Sequence, residues 1–342
     1  MRNRFFLLIA VVTVAGAYSQ TKPAARPDLS GTYDIATQTP LIRPANVSGR
    51  LSLTDEEAKA LAARIAAEKA RRNQATDPNR QAPPVGGDGS EGAAGNVGGY
   101  NVLWVDNGEG AFKINGQWRT SILVDPENGQ MPPMTPEARK RIAERGRMNR
   151  PNRGDAWWVK EGISPGPYDD PELRPLGERC LLGFGSSAGP PALPVLYNNV
   201  KQIVQAKDTV MILNEMNHDA RIVRMNATHE PPEIRRWLGD SIGRWEGDTL
   251  VVDTTNFTDR PALFNASRNL HVVERFSRID DKTLLYKFTV EDPTVWTKPW
   301  SGEYVWPATE SRIYEYACHE GNYALTNVLR GARLLEAEAA KK

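Results

Sequence analysis

The chain has 342 residues and a formal net charge of +1, with 43 Lys and Arg against 42 Asp and Glu. That balance, without a basic stripe interleaved with aromatics, argues against electrostatic capture of nucleic acid. Hydrophobic residues make up 40% and charged residues 25%, and no run beyond the N-terminus approaches membrane-spanning length, so a globular protein is expected.

Residues 1–19 read as a removable secretory signal. Arg2 and Arg4 form a positive n-region, Phe5 to Ala15 is an uncharged apolar run, and Ala15, Gly16, Ala17 and Ser19 supply small residues for cleavage. The apolar run falls well short of the ~20 residues that an α-helical span needs. The mature protein is therefore expected to be periplasmic or secreted, with no membrane contact after signal removal.

Residues 20–99 open with a strand at Leu29 to Ile35. A helix from Asp55 to Asn73 follows, capped by Thr54 with Glu57 as its capping-box partner. The run from Gln74 to Gly99 is dense in Pro, Gly, Asn and Asp and reads as a long loop, either a plain insertion or a lid.

Residues 100–335 form the β-rich part. Lys113 to Trp118 carries an Asn-Gly pair suited to a type I′ hairpin, and Arg119 to Asp125 continues the strand. Thr135 and Pro136 start a helix that Gly146 should stop, and a Pro/Gly/Trp-rich connection runs to about Pro190. Strands are then expected at Val200–Gln205, Val210–Met216, Ala220–Met225, Thr249–Asn256, His271–Ile279, Thr283–Val290 and Arg312–His319, with a short helix at Pro232–Leu238. Residues 336–342 are a tail. The spacing implies a mainly β protein, an antiparallel barrel or sandwich with a few peripheral helices, a calycin- or lipocalin-like barrel among the options.

The run from Trp237 through Gly239-Asp-Ser-Ile-Gly-Arg-Trp-Glu-Gly-Asp248 to Phe257 resembles the signature of a large, mostly uncharacterised family of exported bacterial proteins. Tyr100 to Asp106, Arg119 to Pro126, Tyr197 to Asn199, Glu215 to Arg221, Leu270 to Phe276 and Tyr316 to Tyr323 are similar to it too. The resemblance supplies no catalytic residues, cofactor or substrate.

Export makes Cys180 and Cys318, the only cysteines, a candidate disulfide. Closing a loop of more than a hundred residues is worth roughly 4 kcal/mol by chain entropy. Each of the four histidines has a carboxylate close in sequence: Glu215 before His218, Glu230 after His229, Glu274 after His271 and Glu320 after His319. Imidazole titrates near neutrality and can move protons or bind a metal. None shows a local ligand spacing, so any site must be assembled from separate segments.

Strand parity sharpens this. A tight turn centred on His218 would set Glu215 opposite Arg221 as an ion pair, with His218 at the tip. An Asp280-Asp281 turn would pair Glu274 with Lys287 and place His271 and Arg275 together on the other face. His229, before Pro231 and Pro232, reads as a helix-entry residue. Gly185-Ser-Ser-Ala-Gly189 matches a nucleophile elbow by letter, but Pro190 and Pro191 follow where a helix is required.

The leading expectation is an acid/base lyase, isomerase or hydrolase acting on a small organic or sugar-derived molecule. Its candidate catalytic residues are His218, His271, His319, Glu215, Arg221, Glu274 and Arg275. No cofactor is predicted, although a divalent metal on His218, His271 and His319 is a variant. The alternative is a non-catalytic barrel for an apolar or aromatic ligand, with Tyr100, Trp104, Trp118 and Arg119 at its mouth. The partner in either case is a small molecule, and the oligomeric state is not set by the sequence.

Overall fold

The computed structural model describes residues 26–47, 49–74, 79, 81, 105–150, 154–263 and 265–341. The expected secretory signal, Tyr100, Trp104 and nearly all of the predicted 74–99 loop lie outside them.

Period-two alternation builds the core. In β11 (His271–Asp280), Val272, Glu274 and Phe276 face inward; in β12 (Thr283–Glu291), Leu284, Tyr286, Phe288 and Val290 do so; in β13 (Trp300–Pro307), Trp300, Gly302, Tyr304 and Trp306 do so. These strands belong to one curled ten-stranded sheet with β1 (Gly31–Asp34), β5 (Leu123–Asp125), β6 (Val200–Gln205), β7 (Thr209–Asn214), β8 (Ala220–Met225), β9 (Asp240–Glu246) and β10 (Thr249–Thr255). The order is β1-β6-β7-β8-β9-β10-β11-β12-β13-β5, antiparallel throughout except for the parallel pair β8–β9. A Tyr33–Ala308 bridge brings β1 against β13, so the sheet curls into a half-barrel. The mainly β expectation is met by one curled sheet rather than a two-sheet sandwich.

The concave face is filled with aromatics. The Tyr286 ring lies 4.9 Å from Phe276, 4.9 Å from Trp306 and 5.3 Å from Tyr304, all fully buried. Full burial of a side chain of this size is worth about 1.5–3 kcal/mol. Gly302 is required here, because a Cβ would run into the Phe288 ring.

A smaller sheet, β2 (Ser52–Leu53), β4 (Gln117–Arg119) and β3 (Lys113–Ile114), carries the predicted hairpin, with Asn115 at φ 51° and Gly116 at φ 77° as a type I′ turn requires. α1 (Asp55–Arg72) has the expected capping box of Thr54 and Glu57. α2 (Pro136–Met148) runs past Gly146. α3 (Trp157–Lys160) packs with α4 (Tyr323–Ala339) in a second cluster of Trp157, Trp158, Tyr168 and Ala332. Among the described residues no helix is long and apolar enough to cross a membrane.

Two expectations are corrected, and three elements are new. Pro232–Leu238 is not helical, because Arg236 runs alongside the end of β10, donating to Asn256 and accepting from Thr258. Arg312–His319 is not a strand, and β9, β13 and α4 were not anticipated. The family-like run forms the β9–β10 hairpin, turning at Gly247 with φ 58°.

Candidate functional site

The hairpin parity holds for β11, whereas its predicted pairings do not. Glu274 faces the core and His271 and Arg275 face outward. A bulge between Arg278 and Asp280 moves the turn to Asp281-Lys282, so Lys287 faces Arg275, and Glu274 faces Phe288. Glu274 pairs instead with Arg221 of β8: Nη2 donates to Oε1 at 2.9 Å and Nη1 to Oε2, while the Tyr286 hydroxyl donates to Oε1 at 2.7 Å. Both side chains are sealed, at 3% and 0% exposure, so no substrate reaches them. Burial opposes the Arg221 charge but the Glu274 carboxylate outweighs it, and its pKa is raised. Arg221 stands opposite Ile212 rather than Glu215. The Arg221–Glu274 pair thus ties β8 to β11 inside the half-barrel.

The three nominated histidines do not converge. His218 Nε2 donates to the Tyr314 carbonyl at 3.0 Å, His271 Nε2 contacts Asp253 Oδ1 at 3.1 Å, and His319 is exposed in the turn before α4. Among the described residues no group of three or more His, Cys, Asp or Glu side chains is arranged to hold a metal ion. The arrangement of these histidines therefore lends the metal variant no support.

His271 joins an unforeseen chain. His229 Nδ1 lies 3.0 Å from Asp240 and its Nε2 3.1 Å from Asp253; His271 Nε2 reaches the same Asp253 oxygen, and its Nδ1 lies 3.4 Å from Glu291. Carboxylate and imidazole thus alternate across four strands. His229 owes this place to the β8–β9 crossover, which the helix-entry reading missed. Hydrogen bonds from Asp253 outweigh partial burial and raise the His271 pKa, and Asp253 is lowered in turn. Arg275 pairs with Glu246 at 2.7 Å on the surface. Trp118 donates to Asp55 at 2.7 Å, and buried Arg119 donates to Glu303 at 3.0 Å.

The site with chemical potential lies at the rim. A cavity of about 620 Å³ is bordered by Asp106, Tyr197, Asn198, Glu215, Arg312, Tyr314 and Tyr316, among others. Its outer wall, residues 311–317, has no regular structure and is held as a strap. The β7–β8 connection grips it at one residue: Glu215 Oε1 accepts from the Tyr314 N–H at 3.3 Å and His218 Nε2 donates to the Tyr314 carbonyl. Glu215 Oε2 also accepts from the Val200 N–H at 3.4 Å. The strap ends at Cys318, disulfide-bonded to Cys180 with a Cα–Cα distance of 5.6 Å. The predicted bridge is present and secures a wall of the cavity.

Two groups here titrate near neutrality from opposite directions. Burial, with the negative charges of Asp34 and Glu215, pushes Asp106 up to about 6. Burial also pulls Lys201 down to about 7, against the opposing pull of Glu215 and Asp219. Lys201 sits behind the cavity on β6, 1% exposed, donating to the Ser187 carbonyl at 2.6 Å and to the Asn214 side chain. Ser187 is 0% exposed.

Asp106 and Lys201 were missed by sequence reasoning, which favoured histidines. Asp106, Tyr197, Glu215 and Tyr316 come from four segments far apart in sequence, and all border this cavity. No model of a known protein family matches the chain, and neither curated proteins nor solved structures show significant similarity to it.

Proposed function

We propose that the protein is an exported acid/base enzyme acting on a small polar organic or sugar-derived molecule at the strap cavity. The observation that carries this reading is the meeting of Asp106 and Glu215 on one cavity, with Asp106 raised to about 6. A general acid or base works best with a pKa near the operating pH, and a carboxyl reaches that range through burial beside like charges. Asp106 is the base that removes a substrate proton, Glu215 is held by backbone N–H groups as the second carboxylate, and Arg312 receives an anionic substituent. Lys201 is a positioning residue, near enough to Glu215 for that carboxylate to favour its charged form. A lyase, isomerase or hydrolase can be built on this set. The disulfide supports export, since such bonds persist in oxidising compartments.

The rival, a barrel that stores an apolar ligand, finds its interior occupied by Trp300, Trp306, Tyr286 and Tyr304. Depletion of a pooled metabolite extract by the purified protein separates the two. An enzyme yields new products, with a rate that falls as pH drops through about 6, where Asp106 takes up its proton. Asp106→Asn should slow turnover about 10²–10⁴-fold and abolish that acid limb. Ligand loss without product, or an unchanged pH profile in the variant, would reject catalysis by this residue.

A further inference from the structure

A second cavity, of about 480 Å³, lies between α2 and the connections at 173–185 and 260–265. It shares no bordering residue with the strap cavity. Arg141 and Arg145 reach it from one face of α2, four residues apart, and Arg260 from the opposite side. Among the described residues none of these three guanidiniums forms an ion pair. Arg141 donates to the Asn265 carbonyl at 3.4 Å and Arg260 to the Glu172 carbonyl at 2.9 Å. Partial burial and the charges of Arg260 and Arg141 pull the Arg145 pKa down, with Asp259 acting weakly the other way. Glu144 also borders the cavity, and a fourth arginine, Arg174, is already neutralised by a bidentate bond to Glu178. Like charges held together without a counterion disfavour the fold unless an anion sits among them. The remaining wall is apolar, with Leu173, Leu176, Phe184 and Pro261, and Phe184 is 46% exposed.

We propose that this groove is a binding site for a small amphiphilic anion, a carboxylate or phosphate ester with an apolar tail, whose head meets Arg141, Arg145 and Arg260 and whose tail lies on Leu176 and Phe184. The volume is within the range of ligand pockets, and a fork of guanidiniums suits a planar carboxylate or a phosphate. The head chemistry is shared by a free organic acid and a lipid headgroup, and the groove is sized for the free acid.

The test is isothermal titration of octanoate into the full-length mature chain at low ionic strength. Octylamine serves as the matched cation, and inorganic phosphate and phosphatidylglycerol vesicles as further arms. Saturable 1:1 binding of octanoate, absent for octylamine, is expected. Arg145→Gln and Arg260→Gln should each weaken it about tenfold or more, and Leu176→Asn should weaken it for octanoate only. Arg145→Lys, which keeps the charge and loses the fork, should bind octanoate less tightly than the parent chain and more tightly than Arg145→Gln, which shows that the fold is intact. Equal binding of octanoate and octylamine, octanoate affinity unchanged in the glutamine variants, phosphate binding as tightly as octanoate, or binding to vesicles alone would each overturn the proposal.

Discussion

Glu274 is fully buried, and its carboxylate is met by the Arg221 guanidinium and the Tyr286 hydroxyl. Removing one member of such a pair leaves the other charge without compensation, so Glu274→Gln or Arg221→Met should each destabilise the protein by about 3–5 kcal/mol in urea unfolding. The double variant should recover much of that loss, which two independent contacts would not do. Lys201 has the opposite character. Its folded pKa of about 7 lies below the ordinary lysine value, so between about 7 and 10 the unfolded chain binds more protons and stability rises with pH. Lys201→Met should flatten that rise, by up to about 1.4 kcal/mol per pH unit relative to the parent chain, when unfolding midpoints are compared at pH 7 and 9. His271 runs the other way. Its pKa is raised, so its contribution is complete below about 6.5 and fades as pH rises through the folded value. Its imidazole resonance should titrate above the ordinary histidine midpoint and fall back in Asp253→Asn; an unshifted midpoint in the variant would show that Asp253 is not the cause.

At the scale of elements, what the sequence disclosed was parity. Strict alternation in His271–Ile279 separates Glu274 from His271 and Arg275 whatever the pairing, so facing is legible. Register was not, because the bulge at Arg278 moves every partner without altering any local pattern. β9 carries Asp240, Gly243, Arg244 and Glu246, a composition poor in strand formers, and is a strand because β8 and β10 pair with it from both sides. Conversely, 312–319 alternates as a strand would, yet no strand is placed to accept it, and it becomes the strap held at Tyr314. The candidate site was half legible for the same reason. Glu215 was nominated from its neighbourhood in sequence, whereas Asp106 and Lys201 look ordinary until folding buries them beside Asp34 and Glu215. Local pattern reveals which face a residue takes, and the electric environment of that face is made by distant segments.

At the scale of the whole molecule, the Cys180–Cys318 bridge spans 138 residues and encloses nearly all of the sheet from β6 to β13. Chain entropy assigns such a link about 4–5 kcal/mol through the unfolded state. Its native-state action is local, because the core strands are paired and buried without it, while the strap has no regular structure and meets the bridge directly at Cys318, beside the grip of Glu215 and His218 on Tyr314 and the docking of α4 near Trp158, whose indole donates to Glu336 at 2.7 Å. A Cys180→Ser/Cys318→Ser variant should therefore unfold at lower urea yet keep native hydrogen-exchange protection in β11 and β12, while amides of 311–317 exchange faster. Opening the strap admits water to the cavity and weakens the burial that raises Asp106, so the acid limb of any turnover should move below pH 6 in the same variant. Faster exchange spread evenly over the sheet, with the pH limb unmoved, would show that the bridge stabilises the fold without shaping the site. A strap-specific change with a shifted limb would instead tie oxidising conditions to the chemistry, since a bond that such conditions maintain would set the protonation of the proposed base.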